Sequence, residues 1–365
     1  MKSITKYFII KLEIKKRRKT ARILMKGINV MVTIKDIAKA SGVSASTVSI
    51  ILNGKSQERK ISQKTCERVW EAVRSLGYQP NIAARTLRDT NDNDTRTIAL
   101  YWANDFRTTM LSRFLKGLER ARENAAIPCE ITIYPYENDR LHEQTPLLSG
   151  KRFHAAIIAN ASTADMDFIK NSIFPIPLAL YNRQLEGIYS VTVDNAHMGA
   201  LAASALLGRG KKAPWILTSD STFPGMELRI SGFLEAMAAQ GVTIPKEHIL
   251  HGHGTPEAGA SMTEALLSHK DHCDSIYCLS DAIAYGCLHT LNLRNIAIPG
   301  EISVVSIGNG EKDYAMYATP SLSTVYLPME DMASHCLKAL LDLLCHKKPR
   351  ETNLLLDTPL FMRTS

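Results

Sequence analysis

The sequence predicts an all-α domain of the helix-turn-helix type followed by an α/β domain built on parallel sheets. Short amphipathic helical patterns joined by a glycine-containing turn predict the first domain, over residues 32–80. From about residue 96, apolar runs of strand length alternate with amphipathic stretches, which is typical of the second. Charge follows the same division, because residues 32–88 have a balance of +6 whereas residues 89–365 sum to −7.

The first two helices are predicted by their caps and by the turn between them. In "VTIKDIAKASGV", Thr33 caps the first amides, Asp36 completes a capping box, and Ser41-Gly42 ends the helix. Ser44 then caps a second helix in "SASTVSIILNG". The apolar stripe of this second helix is Val48, Ile51 and Leu52.

The outward face of the second helix is formed by Ala45, Ser46, Ser49 and Ile50. Two short helices joined by a tight turn form the helix-turn-helix unit, whose second helix enters the major groove of DNA. A generic three-helix bundle would show the same pattern with no role for this face. The positive balance of residues 32–88 favours DNA, because a surface that neutralises phosphates must be basic.

A third helix is predicted over "ISQKTCERVWEAVRSLGY", where Ser62 caps the start and Gly77 ends the helix. Its apolar positions are Cys66, Val69, Trp70, Val73 and Leu76. After it, "YQPNIAARTLR" places Pro80 before an Asn81 cap and a helix of about seven residues, too short to persist alone in water. We expect this segment to order only when a partner holds it.

The stretches "TIKDIAKASGVSASTVSIILN" and "YQPNIAARTL", with the long domain after them, resemble the lactose-repressor (LacI/GalR) family of bacterial transcription regulators. The resemblance extends from residue 32 to about residue 360. It implies a sequence-specific DNA-binding regulator, a repressor, whose affinity for double-stranded operator DNA is controlled by a small-molecule effector. It also implies a homodimer, with a tetramer as a possible larger assembly.

The resemblance implies a domain order as well. The effector domain has two parallel-sheet subdomains like those of periplasmic sugar-binding proteins, with crossovers near Val193 and Ser323. The implied domains are a basic extension (1–31), the helix-turn-helix domain (32–80), a hinge helix with linker (81–95) and an effector-binding and dimerisation domain (96–365).

Contacts with DNA are carried over from the resemblance position by position. Residues that read base edges match Ala45, Ser46 and Ile50. Those that mainly hold phosphates match Thr33, Ser44, Thr47, Ser49, Asn53 and Tyr78. In the hinge, DNA contacts are implied at Asn81, Ala84 and Leu87. The residue matching Leu87 is an apolar wedge that enters the minor groove and kinks the duplex.

The chemistry of the base-reading positions limits what they recognise. Ala45 and Ile50 offer only apolar contact, so thymine methyl groups suit them and a bidentate guanine contact does not. The loop "GKSQERKI" contains Lys55, Arg59 and Lys60, which either add phosphate contacts or form a solvated basic loop.

The α/β domain is predicted by seven apolar runs and the amphipathic stretches between them, such as "MLSRFLKGLERARENA" and "GMELRISGFLEAMAAQ". Ligands are expected at the carboxyl ends of the strands. No strand is followed by GxGxxG, and "GNG" at Gly308–Gly310 lacks the third glycine, so no dinucleotide cofactor is predicted. The predicted strands are "TIALYW", "EITIYPY", "AAIIAN", "PLALYN", "APWILTS", "SIYCLS" and "ISVVSIG".

Effector contacts are implied by the resemblance at several positions. Arg229 in "LRISGF" matches an effector-binding arginine, whose planar donor fork takes neighbouring hydroxyls or a carboxylate. Asn182 in "LYNR" matches another pocket position, with Arg183 beside it. Asp281 either caps the helix "DAIAYG" or contacts the ligand. Trp102 either stacks on a sugar face or belongs to the core.

Three positions depart from the family pattern. After "SVVSIG", Asn309 stands where the family usually has a carboxylate for sugar hydroxyls. Where the family often has an aromatic residue over the ligand, this chain has Gly254. A second position that is commonly aromatic in the family falls near Thr109 and Met110. The effector therefore stays at the family level, a sugar or sugar derivative.

The first 30 residues carry ten Lys and Arg, including "KKRRK", and one acid. They reflect translation from an upstream start, since Met31 looks like the natural beginning, or form a disordered DNA-binding arm. No apolar run approaches membrane-spanning length, and seven cysteines without close pairing fit a reducing compartment. We expect a cytoplasmic protein without a membrane partner.

No catalytic or metal site is predicted. His251 and His253 in "HGHG" would suit a metal only on a strand, and a flexible connector is favoured there. "HKDHC", His269–Cys273, has no partner cluster at zinc spacing. An α/β enzyme carrying a DNA-binding front domain is the alternative to a regulator, but it needs a catalytic group that the sequence does not show.

Overall fold

The structure is a computed structural model that describes residues 33–52, 56, 59–76, 95–150, 152–220, 223–345, 347 and 351–365. Two compact units divide the chain, one within Met1–Pro80 and the other within Asn81–Ser365. The predicted basic extension and nearly all of the hinge lie outside the described residues. So do five of the predicted DNA-contact positions, Asn53, Tyr78, Asn81, Ala84 and Leu87.

In its described residues, the first unit contains three helices: α1 (Ile34–Ser41), α2 (Ala45–Leu52) and α3 (Gln63–Leu76). The predicted capping box of α1 is present: the Thr33 amide donates to Asp36 Oδ2 at 2.8 Å, and the Asp36 amide donates to Thr33 Oγ1. Gly42 ends α1 with a φ of +66°, a left-handed conformation that glycine adopts without steric cost.

The core of the first unit lies where the three helices meet, and its buried members are Ile37, Val48, Ile51, Val69 and Ala72. Two positions expected in the stripe of α3 are exposed instead, Trp70 by 42% and Leu76 by 37%. Trp70 is one residue, about 100° of helix rotation, away from Val69. Leu76 follows the stripe but is the last residue of α3, past the contact with α1 and α2.

The second unit is built on two six-stranded sheets. The first has the order β11-β5-β4-β3-β1-β2 and the second β12-β10-β9-β8-β6-β7. Neighbouring strands are parallel except β12, which pairs antiparallel with β10. The strands are β1 (Arg96–Ala103), β2 (Cys129–Tyr136), β3 (Ala155–Ala159), β4 (Leu178–Tyr181), β5 (Tyr189–Val193), β6 (Pro214–Ser219), β7 (Ile249–Gly252), β8 (Ser275–Cys278), β9 (Ser303–Gly308), β10 (Ser323–Tyr326), β11 (Asn353–Leu356) and β12 (Leu360–Phe361).

Helices connect the strands of the second unit and cover the sheets, so that the central strands β3, β4, β8 and β9 are buried along their whole length. In the part of the chain that is described, no helix is long and apolar enough to cross a membrane. The helices are α4 (Leu111–Glu123), α5 (Thr145–Ser149), α6 (Thr163–Asn171), α7 (Asn195–Leu207), α8 (Pro224–Ala238), α9 (Pro256–Leu267), α10 (Asp281–Leu293), α11 (Lys312–Tyr317) and α12 (Met329–Leu344).

The chain passes between the two sheets three times. After β5 ends at Val193, α7 packs against β9 and β10 of the second sheet. After β10, which starts at Ser323, α12 returns to pack against β3, β4 and β5. The third passage was not predicted: β11 joins the first sheet and the two-residue β12 joins the second. The second unit therefore consists of a first and a second subdomain, each built on one of the two sheets, and three segments of the chain connect them.

Helices α7 and α8 approach each other at backbone distance. A Cβ atom on Gly232 would lie 2.0 Å from the carbonyl oxygen of Ala196, and one on Gly199 would lie 2.0 Å from that of Arg229. Only glycine allows this approach. As a result Arg229 on α8 is held next to Asn195, the first residue of α7.

Candidate functional site

The outward face of α2 is the first candidate site. Ala45 and Ser46 are exposed, whereas Ser49 and Ile50 are half-buried. Ser44 caps α2 as expected, because its Oγ accepts the Thr47 amide at 3.1 Å. The helix contains no charged side chain, so its surface offers hydroxyls, methyl groups and the amides of its first turn.

The second candidate site is a cleft at the carboxyl ends of the strands in both sheets. It contains about 600 Å³ of space free of protein atoms, part of it open to solvent. This position is where the topology of parallel sheets places ligands. The lining residues are Arg107, Met110, Asn160, Tyr181, Asn182, Arg183, Ser219, Phe223, Gly225, Met226, Arg229, Gly254, Leu279, Ser280, Ile283, Asn309 and Leu327.

Four of the predicted effector positions line this cleft: Asn182, Arg183, Arg229 and Asn309. Asn182 directly follows β4 with a φ of +51°, and Asn160 follows β3 with a φ of +63°. Asparagine tolerates this left-handed conformation better than most residues. Both amide side chains are thereby turned off the ends of neighbouring strands and into the cleft lining.

Two of the predicted effector positions lie elsewhere. Trp102 is buried in the core, where its ring meets Phe114 at a centroid distance of 5.1 Å and Tyr181 at 6.5 Å. It faces the helix layer over the sheet because Phe114 belongs to α4. Thr109 is exposed and does not line the cleft, although its neighbour Met110 does. The aromatic rings in the described lining come from Tyr181 and Phe223 instead.

Asp281 is buried, is not among the described residues that line the cleft, and does not cap α10 as one interpretation of the sequence expected. The cap of α10 is Ser280, whose Oγ accepts the Ile283 amide at 3.3 Å. The Asp281 carboxylate instead accepts the Ser306 hydroxyl at 2.5 Å and the Gly310 amide at 3.0 Å. Its own amide donates to Asn309 Oδ1 at 3.2 Å. Asp281 therefore positions the segment that carries Asn309.

The protonation of Asp281 is expected to be visible in the stability of the protein. Burial raises its pKa to about 6, against the opposing hydrogen bonds from Ser306 and Gly310. Because this folded-state pKa lies above the unfolded value, the carboxyl group stabilises the fold at low pH and loses that contribution as the pH rises through 6. Relative to Asp281→Asn, the wild type should gain about 1.4 kcal/mol in the free energy of unfolding between pH 8 and pH 5. Urea denaturation at both pH values measures this, and a difference that does not change with pH would refute the assignment.

Three arginines are among the described residues of the cleft lining: Arg107 and Arg229 are buried, and Arg183 is half-buried. The Arg229 side chain donates from Nε to Asn195 Oδ1 at 2.9 Å, and burial lowers its pKa. The pKa of Arg183 is lowered to about 10, mainly by burial and secondly by the positive charge of Arg107. The guanidinium carbon of Arg107 lies 3.6 Å from the centre of the Phe223 ring.

Sequence reasoning missed Arg107, Asn160 and Phe223. Asn160 carried a usable signal, since it is the last residue of the predicted strand "AAIIAN". Arg107 comes from a short 3₁₀ helix (Phe106–Met110), and Phe223 precedes α8. Neither position shows a pattern, because the fold brings these segments to the cleft from distant parts of the chain.

A network around Arg113 joins the two subdomains beside the cleft, and it too was missed. Arg113, on α4, is 1% exposed and donates from Nε to Glu330 Oε1 at 2.8 Å, at the start of α12. Its Nη1 donates to the Gly310 carbonyl at 2.9 Å and its Nη2 to the Leu327 carbonyl at 3.0 Å. One guanidinium therefore binds the segment after β9 and the segment after β10 to a helix of the first subdomain.

The histidines that the sequence singled out fall in two places. His251 lies on strand β7, not in a loop as expected, and is exposed. His269 and Asp271, from "HKDHC", meet His248, and within the described residues these three could hold a metal ion, with ligand atoms within 4.8 Å of one another. His248 Nε2 lies 3.2 Å from Asp271 Oδ2, and its ring stacks on Trp215 at 4.1 Å.

A helix-turn-helix unit in one part of a chain and a two-sheet domain with a cleft at its strand ends in the other define a class: effector-binding transcription regulators. Comparison with known proteins narrows this class. Residues 33–81 match the model of the bacterial regulatory proteins of the lacI family, and residues 203–365 match that of the periplasmic binding protein-like domain.

Similar proteins agree with both matches. The chain is 26% identical over 324 residues to the HTH-type transcriptional repressor PurR of Proteus mirabilis, covering 87% of this chain and 92% of that one. It is 28% identical to the HTH-type transcriptional regulator AscG of Escherichia coli, covering 86% and 92%. A crystal structure of a LacI family transcription regulator from Clostridium acetobutylicum has a TM-score of 0.71 at 32% identity, covering 74% of this chain and all of that one.

The chain therefore belongs to the LacI family of bacterial transcription regulators. The predicted family, fold class and regulatory function are confirmed by these matches.

Proposed function

We propose that this chain acts in the cytoplasm as a homodimeric repressor that binds a pseudo-palindromic operator through α2 and answers to a small molecule held in the cleft. The observation that carries the proposal is the uncharged outward face of α2, set in a domain with a positive charge balance. Basic residues supply affinity for phosphates, and hydroxyl and methyl groups on a helix face suit contacts to base edges.

In this proposal Ala45, Ser46 and Ile50 read base edges. Thr33, Ser44, Thr47 and Ser49 hold phosphates through their hydroxyls and the amides of the helix starts. Exposure supports the division, because Ala45 and Ser46 are exposed near the first turn of α2, the part of a recognition helix that meets base edges. The roles proposed for Asn53, Tyr78, Asn81, Ala84 and Leu87 rest on the family resemblance alone.

Replacing Ile50 with Ala should weaken binding to the operator by about 1–3 kcal/mol, because an apolar contact to a base edge is lost. The slope of affinity against salt should stay unchanged, since no phosphate contact is removed. Fluorescence anisotropy over a salt series measures both. Ile173→Ala is the matched control, because Ile173 is 94% exposed in the other unit. Equal losses in the two variants would remove Ile50 from the DNA surface.

Exposed apolar side chains on α11 and at the end of α10 support the homodimer. Tyr317 is 79% exposed, and Tyr314 and Leu293 are each 68% exposed. The two elements are neighbours, because Asn292 Nδ2 donates to the Thr319 carbonyl at 2.7 Å. Apolar side chains that are exposed on neighbouring elements are a feature of protein interfaces when they form a contiguous patch. Sedimentation equilibrium should show dimers for the wild type and monomers for Tyr317→Lys with Leu293→Lys.

The cleft supports binding rather than catalysis. Its described lining consists of arginines, amides, hydroxyls and apolar groups, a set that suits recognition more than acid-base chemistry. Both subdomains contribute to this lining, with Asn182 from the first and Asn309 from the second. A ligand that touches both therefore favours one relative arrangement of the subdomains, and operator affinity changes with ligand if the two arrangements differ in it.

Selection of bound sequences from a random duplex pool by the full chain tests the proposal. A pseudo-palindrome with a flexible central step is the expected result, because two copies of α2 then read two half-sites. Enrichment of one asymmetric half-site, or of no sequence with and without a metabolite mixture, would contradict it.

A further inference from the structure

We infer that the effector is a small organic anion, a hydroxylated carboxylate or phosphate monoester, whose negative charge is held by Arg183 and Arg229. The inference rests on the proposed function, because it names the ligand class of the same cleft. It narrows the sugar or sugar derivative that the family resemblance suggests to a ligand that carries a negative charge.

The charge of the cleft is the first observation. Three arginines line it, and no Asp or Glu is among its described lining residues. Arg107 is neutralised locally, because its Nε and Nη2 donate to the Asp105 carboxylate, with an Nη2–Oδ2 distance of 2.5 Å. The two remaining guanidinium groups, those of Arg183 and Arg229, give the cleft an excess of positive charge.

The second observation is that both arginines have only neutral hydrogen-bond partners among the described residues. Arg183 donates to the carbonyls of Ala161 and Asn182, at 2.6 Å and 2.7 Å. Arg229 donates to the amide oxygen of Asn195. Among the described residues, neither arginine has a carboxylate partner, and neither Arg183 Nη2 nor the two Nη atoms of Arg229 have a hydrogen-bond acceptor. Both fork ends are available to a ligand.

Burial makes this arrangement costly without an anion. Arg229 is 5% exposed, and a buried charge without a counter-charge is unfavourable. The lowered pKa values of both arginines reflect the same desolvation, and Arg229 adds to the lowering at Arg183. A carboxylate or phosphate would remove the cost, since a planar guanidinium binds either one in a bidentate way.

A neutral polyol fits this lining less well. Carboxylates bind sugar hydroxyls as acceptors and would balance the arginines, but the positions that end β4 and β9 are the amides Asn182 and Asn309. The nearby acid, Asp281, is already bound by the Ser306 hydroxyl and the Gly310 amide behind the lining. The amides remain suited to hydroxyl or carbonyl groups on the body of the anion.

The test compares ligands that share a skeleton and differ in charge. The melting temperature of the full chain is measured with glucose, glucuronate, glucose 6-phosphate and inorganic phosphate, at equal ionic strength and pH. At least one anion should raise the melting temperature while glucose does not, and the carboxylate and phosphate arms show which group is preferred. An equal rise with glucose, or no rise with any anion, would overturn the inference.

Variants separate binding in the cleft from general salt effects, since phosphate stabilises many proteins non-specifically. Arg183→Gln and Arg229→Gln should each lose the rise, whereas Arg122→Gln, which removes an exposed arginine paired with Glu119, should keep it. Should Arg229→Gln not fold, Arg183→Gln carries the comparison. A rise that persists in the cleft variants would refute the site.

Operator selection with the same preparation keeps the two proposals distinct. A chain that selects an operator but shows no preference for anions overturns only the anionic effector. A chain that prefers anions but selects no sequence overturns the proposed repressor function and leaves the ligand class standing.

Discussion

Replacing Arg113 with Ala is expected to lower the free energy of unfolding of the effector domain by about 3 kcal/mol or more. The change leaves the half-buried Glu330 carboxylate without its cation and removes the donors to the Gly310 and Leu327 carbonyls. Although burial raises the pKa of Glu330, the hydrogen bond and charge of Arg113 hold it below its usual value. Urea denaturation of the full chain measures the loss.

The matched control is Arg122→Ala. Arg122 is paired with Glu119 three residues away on the same helix, and both side chains are about half exposed. An exposed pair of this kind contributes little to stability, because water screens its charges. Similar losses in the two variants would show that the Arg113 network does not hold the subdomains together.

Replacing Arg229 with Ala is expected to abolish the response to effector while operator affinity stays near the wild-type value. Coupling between two sites is typically about 1–3 kcal/mol, so the ligand should change operator affinity about 5- to 150-fold in the wild type and not at all in the variant. Operator binding survives because α2 belongs to the other unit. Fluorescence anisotropy with and without ligand measures both quantities.

Leu228→Ala is the neighbouring control, since Leu228 is half exposed on the same turn of α8 and does not line the cleft. It should retain the full response. A normal response in Arg229→Ala would place the effector elsewhere.

Local signals were enough to predict the helix-turn-helix unit. The capping box of Thr33 and Asp36 and the left-handed Gly42 depend on residues within a few positions of one another, and both are present. Trp70 shows the limit of such signals. An apolar residue one position beside the stripe looks the same in the sequence whether it is buried or exposed.

Some strands were likewise predictable from a local pattern, whereas others were not. Buried central strands such as β3 and β8 show as continuous apolar runs, and all seven predicted runs coincide with strands. Strand β7 escaped because it lies at a sheet edge, is only partly buried and contains His251. The two-residue β12 pairs with β10 only through the fold of the whole domain.

In the cleft, residues at strand ends were predictable and others were not. Asn182 and Arg183 follow an apolar run, where a parallel sheet places its ligands. Trp102 also ends a strand, but its side chain points to the helix layer. Arg113 bonds across about 200 residues of chain to Glu330, a relation that no local pattern contains.

The most direct test of the account is the affinity of the full chain for its selected operator, measured with and without the anion that most raises the melting temperature. We predict that the anion changes operator affinity by about 5- to 150-fold. Bound operator should change the affinity for the anion by the same factor. An anion that binds the cleft and leaves operator affinity unchanged would contradict the account.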